Sequence, residues 1–337
     1  MGFSICLKGK LLGKFFVRGS LFLVLLSLLI WGVSPSLNLG VESSLSSPNI
    51  PSLPDTSLVY VSDYFSFVGE DAQGRVAFAL DNNRGRDGES WQAEHFVVLH
   101  DEQEGWVSLQ GSGSYDNSTH ELETIPPSTF FHIEGMPQTG MAINSTPNNL
   151  TLSVKPIPIR LAKEHKGGRY WLGSAAGELQ WNGRTLQGRV IYEYFMMPEF
   201  NRLSRTYWGL WKHFQGLYLV IEGLGDLYVH SQESDMMAPL VGTVSGFLAV
   251  QGETQPLQVL QVTLLDHNQA WGLYRWPSAW GLNWVNKSGA GRAQLEIQNL
   301  KTMGNWVIGG FGMGIVKGIV HYNGKEYPAY GLAELIM

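Results

Sequence analysis

From Leu58 onward, apolar and polar residues alternate in short runs separated by turn-forming residues. This is the two-residue period of strands that bury one face. Residues 59–67 predict a first strand, 71–74 a turn and 75–80 the returning strand. Residues 81–88 read as a polar loop. Residues 91–100 predict strand three, 101–105 a turn and 106–110 strand four. Residues 111–150 predict short strands joined by long loops. Residues 150–161, broken by Pro156 and Pro158, suit an edge strand. Residues 217–222, 225–231, 241–250, 257–265, 272–276 and 293–298 continue the same meander, with Gly223 to Gly225 at a bend. Asp266-His267, before Asn268, reads as a turn. The glycine-rich stretch 303–319 has no G-x-x-x-x-G-K-[ST] and no helix pattern after it. It reads as a bent barrel strand, not as a phosphate loop.

One stretch occurs twice. Residues 177–196 read GELQWNGRTLQGRVIYEYFM, and residues 318–337 read GIVHYNGKEYPAYGLAELIM. Laid over each other, Gly177 meets Gly318, Trp181 meets Tyr322, Asn182-Gly183 meets Asn323-Gly324, Arg184 meets Lys325, Glu193 meets Glu334 and Met196 meets Met337. Asn-Gly between alternating runs predicts a hairpin with a type I′ turn, which needs positive φ at both central residues. The chain therefore reads as all-β, with two domains of similar size, residues 58–198 and 199–337, each finished by the same hairpin.

Composition narrows the chemistry. A length of 337 residues suits two domains. A net charge of −6, with no basic stripe among the aromatics, argues against nucleic acid as a partner. Cys6 is the only cysteine and lies in the leader, so the folded part has no disulfide, thiolate nucleophile or cysteine metal site. The 9 histidines fall in no tight ligand spacing, so no metal is expected, and no cofactor motif is present. No G-x-S-x-G elbow occurs. Asn117, Asn144, Asn149 and Asn286 begin N-x-[ST] sequons, which matter only in a eukaryotic secretory pathway.

Residues 1–33 read as an export signal or membrane anchor. Lys8, Lys10, Lys14 and Arg18 precede an apolar core over 21–33, and no charge appears over 19–41. That polarity would export the remainder, to a periplasmic or extracytoplasmic place, with residues 19–41 as the membrane anchor if the segment is uncleaved. Residues 34–57, rich in Ser, Pro and Asn, read as a linker.

Four places carry a resemblance to a family. They are the opening aromatic strand with Tyr60, Tyr64 and Phe65; Gly168-Arg-Tyr-Trp-Leu-Gly173 ahead of the Asn182-Gly183 hairpin; WGLYRWPSAWGLNW over 271–284; and the ending over 318–335. Together they resemble the AttH and carotenoid 1,2-hydratase (hydroxyneurosporene synthase) group. The resemblance implies two consecutive antiparallel lipocalin-like (calycin) β-barrels, and an apolar cup for a hydrophobic small molecule of isoprenoid, carotenoid or fatty acyl type. Family members often close barrel one with an aromatic-x-Asp-His-Glu-Trp run. Here the run is Val190-Ile-Tyr-Glu-Tyr-Phe195, which puts Glu193 at the Asp position and Tyr194 at the His position. The histidine is absent.

Three functions stay open: a carrier without chemistry, a hydratase, cyclase or isomerase acting on a polyene, and a structural envelope protein. Hydration or cyclisation needs a carboxylic acid that stays protonated, which burial among apolar walls provides. Glu193, between Ile191 and Phe195, is the candidate acid, although its repeat partner Glu334 also suits a structural role for both. Glu94 and His95 form an acid–imidazole pair in sequence, but neighbours on a strand face opposite sides, so only one can line the cup. Asp63 and Tyr64 face the same limit. His213 lies among aromatics near the domain junction, as a site or interface histidine. Tyr64, Trp91, Tyr194, Trp208 and Trp211 are the candidate ligand-binding walls.

Overall fold

The computed structural model describes residues 56–117, 120–122, 125–126, 128–200, 214–232, 242–250, 253–269, 275–306 and 309–336. Among the described residues every regular element is a strand. The first sheet contains β1 (Leu58–Asp71), β2 (Gly74–Asp87), β3 (Ser90–Asp101), β4 (Gly105–Val107), β5 (Gly113–Asp116) and β6 (His132–Met136). It continues with β7 (Gly140–Ser145), β8 (Leu150–Val154), β9 (Ile159–His165), β10 (Gly168–Trp181) and β11 (Arg184–Pro198). The second contains β12 (Phe214–Ile221), β13 (Gly225–Gln232), β14 (Val244–Val250), β15 (Glu253–Pro256) and β16 (Val259–Gln269). It ends with β17 (Arg275–Asn286), β18 (Gly289–Trp306), β19 (Gly309–Tyr322) and β20 (Lys325–Ile336).

Both sheets are antiparallel meanders that curl until the last strand pairs with the first. The first sheet runs β4-β3-β2-β1-β11-β10-β8-β7-β6, with β5 on β3 and β9 on β10. The second runs β15-β14-β13-β12-β20-β19-β18-β17-β16. These are two lipocalin-like barrels, each organised around the repeated hairpin. In both hairpins the Asn-Gly pair has positive φ throughout: 49° and 78° at Asn182 and Gly183, 51° and 76° at Asn323 and Gly324. The flanking residues pair directly, Trp181 with Arg184 and Tyr322 with Lys325, as a two-residue type I′ turn requires. Arg184 then ties the base of barrel one together: its Nε and Nη2 each donate to Asp71 at 2.8 Å, and its Nη1 donates to Asp101.

Four expectations need correction. Residues 303–319 are not one bent strand: 303–306 end β18 and 309–319 belong to β19, which pairs back on it. Residues 81–87 are not a loop but the second half of β2, and Asp81, Asn82, Asn83 and Arg84 are all buried. Their polarity signalled a loop, yet each side chain meets polar or charged neighbours across the sheets. Residues 150–161 form two strands, β8 and β9, that both pair with β10. Pro156 and Pro158 fall in the break between them. Asp266-His267 lies inside β16, where the pairing with β17 slips at an irregularity instead of turning.

The core has three layers. One apolar cluster lines the interior of barrel one and another that of barrel two. A third lies between the barrels, where the outer faces of β1, β2, β10 and β11 meet those of β12, β13, β19 and β20. Tyr60, Tyr64, Tyr170, Tyr218, Tyr228, Phe247 and Leu332 belong to this seam. Arg189 clamps buried Asp226 across it with bonds of 2.5–3.1 Å, and Trp106 donates to Asn299 at 3.0 Å.

Candidate functional site

Alternation decides which side chains enter barrel one. Odd residues of β1, β3 and β10 and even residues of β2 and β11 join the interior cluster, while their neighbours face the seam. Directly paired residues therefore form rungs across the inner wall. One rung reads Trp171, Tyr194, Asp63, Asn82, His95 across β10, β11, β1, β2 and β3. The next rung toward the Asn-Gly turn is Tyr192, Phe65, Leu80, Val97, and after it come Val190, Phe67, Phe78 and Leu99. In the other direction lie Met196, Val61, Arg84 and Ala93, with Tyr115 of β5 beside Ala93. The result is a mostly apolar floor beneath a polar belt.

The belt is partly satisfied. Arg84, 0% exposed, donates from Nη2 to Asp63 at 2.7 Å and from Nε to the Leu122 carbonyl at 2.9 Å. The Tyr192 hydroxyl donates to the second oxygen of Asp63 at 2.5 Å. That oxygen and burial push the Tyr192 phenol well above its ordinary range, burial being the larger cause. His95 Nε2 lies 2.7 Å from the Tyr115 hydroxyl, which also reaches Asn82 Oδ1 at 3.4 Å. Burial, and then the Arg84 charge, push His95 down to about 4, so the imidazole is neutral at physiological pH. The remaining belt atoms are not satisfied. Arg84 Nη1, Asn82 Nδ2, Trp171 Nε1 and His95 Nδ1 are buried with no hydrogen-bond partner among the described residues. Each such group costs about 1–3 kcal/mol in a site that stays dry and empty.

The seam has a different chemistry. Glu193 pairs with Tyr64 on β1 and Leu172 on β10, and all three face barrel two. Its Oε2 accepts from the Tyr218 hydroxyl at 2.7 Å and from Tyr228 at 3.1 Å, and Tyr228 lies 3.0 Å from the Tyr170 hydroxyl. The Tyr218 oxygen is also 3.2 Å from Glu334, so the two repeat-related glutamates meet at one phenol. A phenol has one proton to give. Both contacts are satisfied together only when one of the two carboxyls carries a proton. Burial pushes the Glu193 carboxyl up to about 7, against the opposing hydrogen bonds from Tyr218, Tyr170 and Tyr228. The side chain remains partly accessible by area, but the atoms packed around it dominate. Burial also raises Tyr64, Tyr170, Tyr218 and Tyr228, so these phenols stay protonated.

The structure divides the sequence candidates between these places. His95 and Tyr194 stand on the inner rung of barrel one, with Tyr194 stacked on Trp171 at 4.8 Å. Trp91 faces the same interior near the end of β3. It lies under the Arg86 guanidinium at 5.4 Å and stacks on His120 at 5.4 Å. Glu94 sits on the opposite face of β3 from His95. Glu193 and Tyr64 face the seam, Tyr64 packed on Tyr218 at 4.6 Å. His213, Trp208 and Trp211 lie outside the described residues. Sequence reading passed over Asn82, Arg84, Trp171, Tyr115 and Tyr192. The first two fell in the stretch read as a loop, and only the pairing of β2 with β1 and β3 shows that they line the interior.

A groove of 580 Å³ opens at the other end of barrel one, between the Ser145–Leu150 turn and the Asn182-Gly183 turn, lined by Asn144, Thr151, Gln180 and Arg184. It is polar, and Arg184 is already engaged by two aspartates. The satisfied groove therefore says less about function than the unsatisfied belt. Among the described residues no three His, Cys, Asp or Glu side chains could hold a metal ion.

No protein-family model and no curated protein matches the chain. Solved structures do. A putative AttH from Nitrosomonas europaea shares 11% identity, with 90% of this chain and 98% of that one aligned at a TM-score of 0.57. CghA with Sch210972 shares 11% identity over 83% of this chain and 88% of that one, at 0.54. Kievitone hydratase from Nectria haematococca shares 12% identity over 82% and 88%, at 0.46. The likeness is one of fold, and it agrees with the resemblance carried by the sequence motifs: the chain has the two-barrel, lipocalin-like architecture of the putative AttH.

Proposed function

We propose that the protein binds a lipophilic small molecule inside the first barrel. The observation that carries this is the inner rung of Trp171, Asn82 and His95 with neighbouring Arg84, four buried side chains with polar atoms that lack partners, set above an apolar floor. A fold does not retain such groups for stability alone. An occupant satisfies them and fills the cup. CghA, of the same fold, is known with the small molecule Sch210972 bound. Native mass spectrometry of protein purified without detergent tests the reading. A small-molecule adduct, released on denaturation, should be present in the wild type and in Glu193→Gln, and absent in Val97→Phe, which fills the floor. An adduct that survives Val97→Phe, or none in any form, overturns it.

A second reading rests on Glu193. A carboxyl held near 7 among protonated phenols is equipped to give a proton to an alkene, as a hydratase or isomerase requires. Incubation with an acyclic polyene in heavy water should then place deuterium in the product, and Glu193→Gln should abolish it. Retained incorporation in that variant removes Glu193 from the chemistry. Export is likewise a proposal, supported by the basic-then-apolar order of residues 8–33. Residues 1–57 fused to alkaline phosphatase should give activity outside the cytoplasm, and an inactive fusion refutes export.

A further inference from the structure

The unsatisfied atoms of barrel one are not neutral as to what they accept. Trp171 Nε1 is a donor only, a guanidinium has no acceptor, and Asn82 has its carbonyl oxygen engaged by Tyr115 while its amide nitrogen lacks a partner. Arg86, one rung nearer the Trp91 end, adds a buried Nε without a partner. Three of the four belt atoms therefore offer hydrogens, from β10 and β2, on adjacent rungs. The carboxylate on this rung, Asp63, already accepts from Arg84 and Tyr192, one bond at each oxygen. It turns its acceptor capacity to its own wall.

Resting on the reading of barrel one as a ligand cup, we infer that the occupant presents acceptor oxygens, of carbonyl or carboxylate groups, along the belt to the donors of Trp171, Asn82 and Arg84, with its apolar body toward Phe65, Leu80 and Val97. A bare hydrocarbon contacts the same apolar residues but leaves the donors without partners. An acceptor oxygen converts them into hydrogen bonds within a low-dielectric interior, where such bonds are strong and a missed one is costly. Neutral His95 adds no charge to the site. The inference thus separates oxygenated lipophiles from unmodified polyenes, which the shape of the cup alone does not.

Isothermal titration of the full chain with decyl methyl ketone, lauric acid and dodecane provides the test. The ketone, the acid or both should bind at least about tenfold more tightly than dodecane, the gain expected for one to two well-made hydrogen bonds. The tighter of the two identifies the oxygen as carbonyl or carboxylate. Asn82→Leu with Trp171→Phe should bring the three affinities to within about threefold of each other. If that pair does not fold, Trp171→Phe alone, which keeps the ring, should narrow the same preference in part. Dodecane binding as tightly as both oxygenated probes in the wild type, or a preference unmoved by the variants, overturns the inference while leaving the cup reading in place. Binding of none of the three overturns the cup reading and this inference with it.

Discussion

The two barrels share a strand order and a closing hairpin, so the same rung can be read in each. In barrel one it is Trp171, Tyr194, Asp63, Asn82, His95. In barrel two the rung one residue beyond Glu334 is Gly312, Leu335, Gln215, Ser231, Val244. The second has no ionisable group, and its Gln215 accepts from Trp280 Nε1 at 2.8 Å. Barrel two has unsatisfied atoms of its own, Trp284 Nε1 and Asn286 Nδ2 at the opposite end of β17, Thr254 Oγ1 on β15, Gln232 Oε1 next to Ser231 and the Tyr330 hydroxyl in the seam, but none belongs to this rung. Barrel two therefore shows that the fold closes without a polar belt at this level. The aromatic, charged and imidazole side chains of barrel one exceed what the architecture needs, and the proposed site rests on that excess.

The largest expected difference between the barrels comes from removing a charge. Arg84→Leu leaves Asp63 buried without its cation and should lower the unfolding free energy by about 3–5 kcal/mol. Gln215→Leu, at the rung of barrel two, should cost about 1 kcal/mol, the loss of one neutral hydrogen bond. Urea unfolding of both variants measures the gap, and equal costs would break the comparison.

The seam supplies the next effect. The Glu193 carboxyl is held near 7 in the folded chain against an ordinary value of 4.5. Folding therefore favours its protonated form. The contribution is complete below 4.5 and is lost as pH rises through about 7. Asp71 works in the opposite direction. Its carboxyl is held below the usual range, first by the hydrogen bond from Arg184, and the stability it contributes is lost at acid pH. Between about pH 5 and about pH 8 Glu193 is opposed by His95 and His230, which burial holds down to about 4 and whose contributions grow as pH rises through 6.5, so the test is a difference: the thermal midpoint of the wild type relative to Glu193→Gln should fall with rising pH. A slope unchanged in the variant would show that the carboxyl is not protonated in the seam.

Smaller effects separate ligand sites from ordinary surface. Asn82→Leu and Trp171→Phe each remove an unsatisfied donor, so each should leave the empty protein unchanged or more stable by up to about 1 kcal/mol, while weakening ligand binding. Lys317→Ala removes an exposed partner of Glu102, 2.7 Å away across the barrels, and should cost less than about 1 kcal/mol. A destabilised Asn82→Leu would mean that the belt belongs to the folding core.

The architecture was legible in the sequence because a type I′ hairpin is a local event. Asn182-Gly183 and Asn323-Gly324 announce themselves without knowledge of their neighbours. The face of each strand was less legible. Alternation shows that Glu193 and Tyr194 point apart, or Glu94 and His95, but not which side is the cup and which the seam, because both faces of β11 are buried. The belt itself was hidden for a related reason. Asp81, Asn82, Asn83 and Arg84 are polar on both faces of one strand, since one face meets the cup and the other meets Tyr60, Ser62 and the seam. No periodicity survives in such a stretch, and polarity alone reads as loop.

The measurement that bears most directly on the barrel-one site is the indole N–H resonance of Trp171 in selectively labelled protein, followed while decyl methyl ketone is added, with Trp280 of barrel two as the internal reference. Trp171 Nε1 lacks a partner and Trp280 Nε1 is already bonded to Gln215. A downfield shift of Trp171 alone, as its N–H gains an acceptor, is the predicted result. A shift at Trp280 with Trp171 unmoved, or no shift at either, contradicts a ligand site in barrel one.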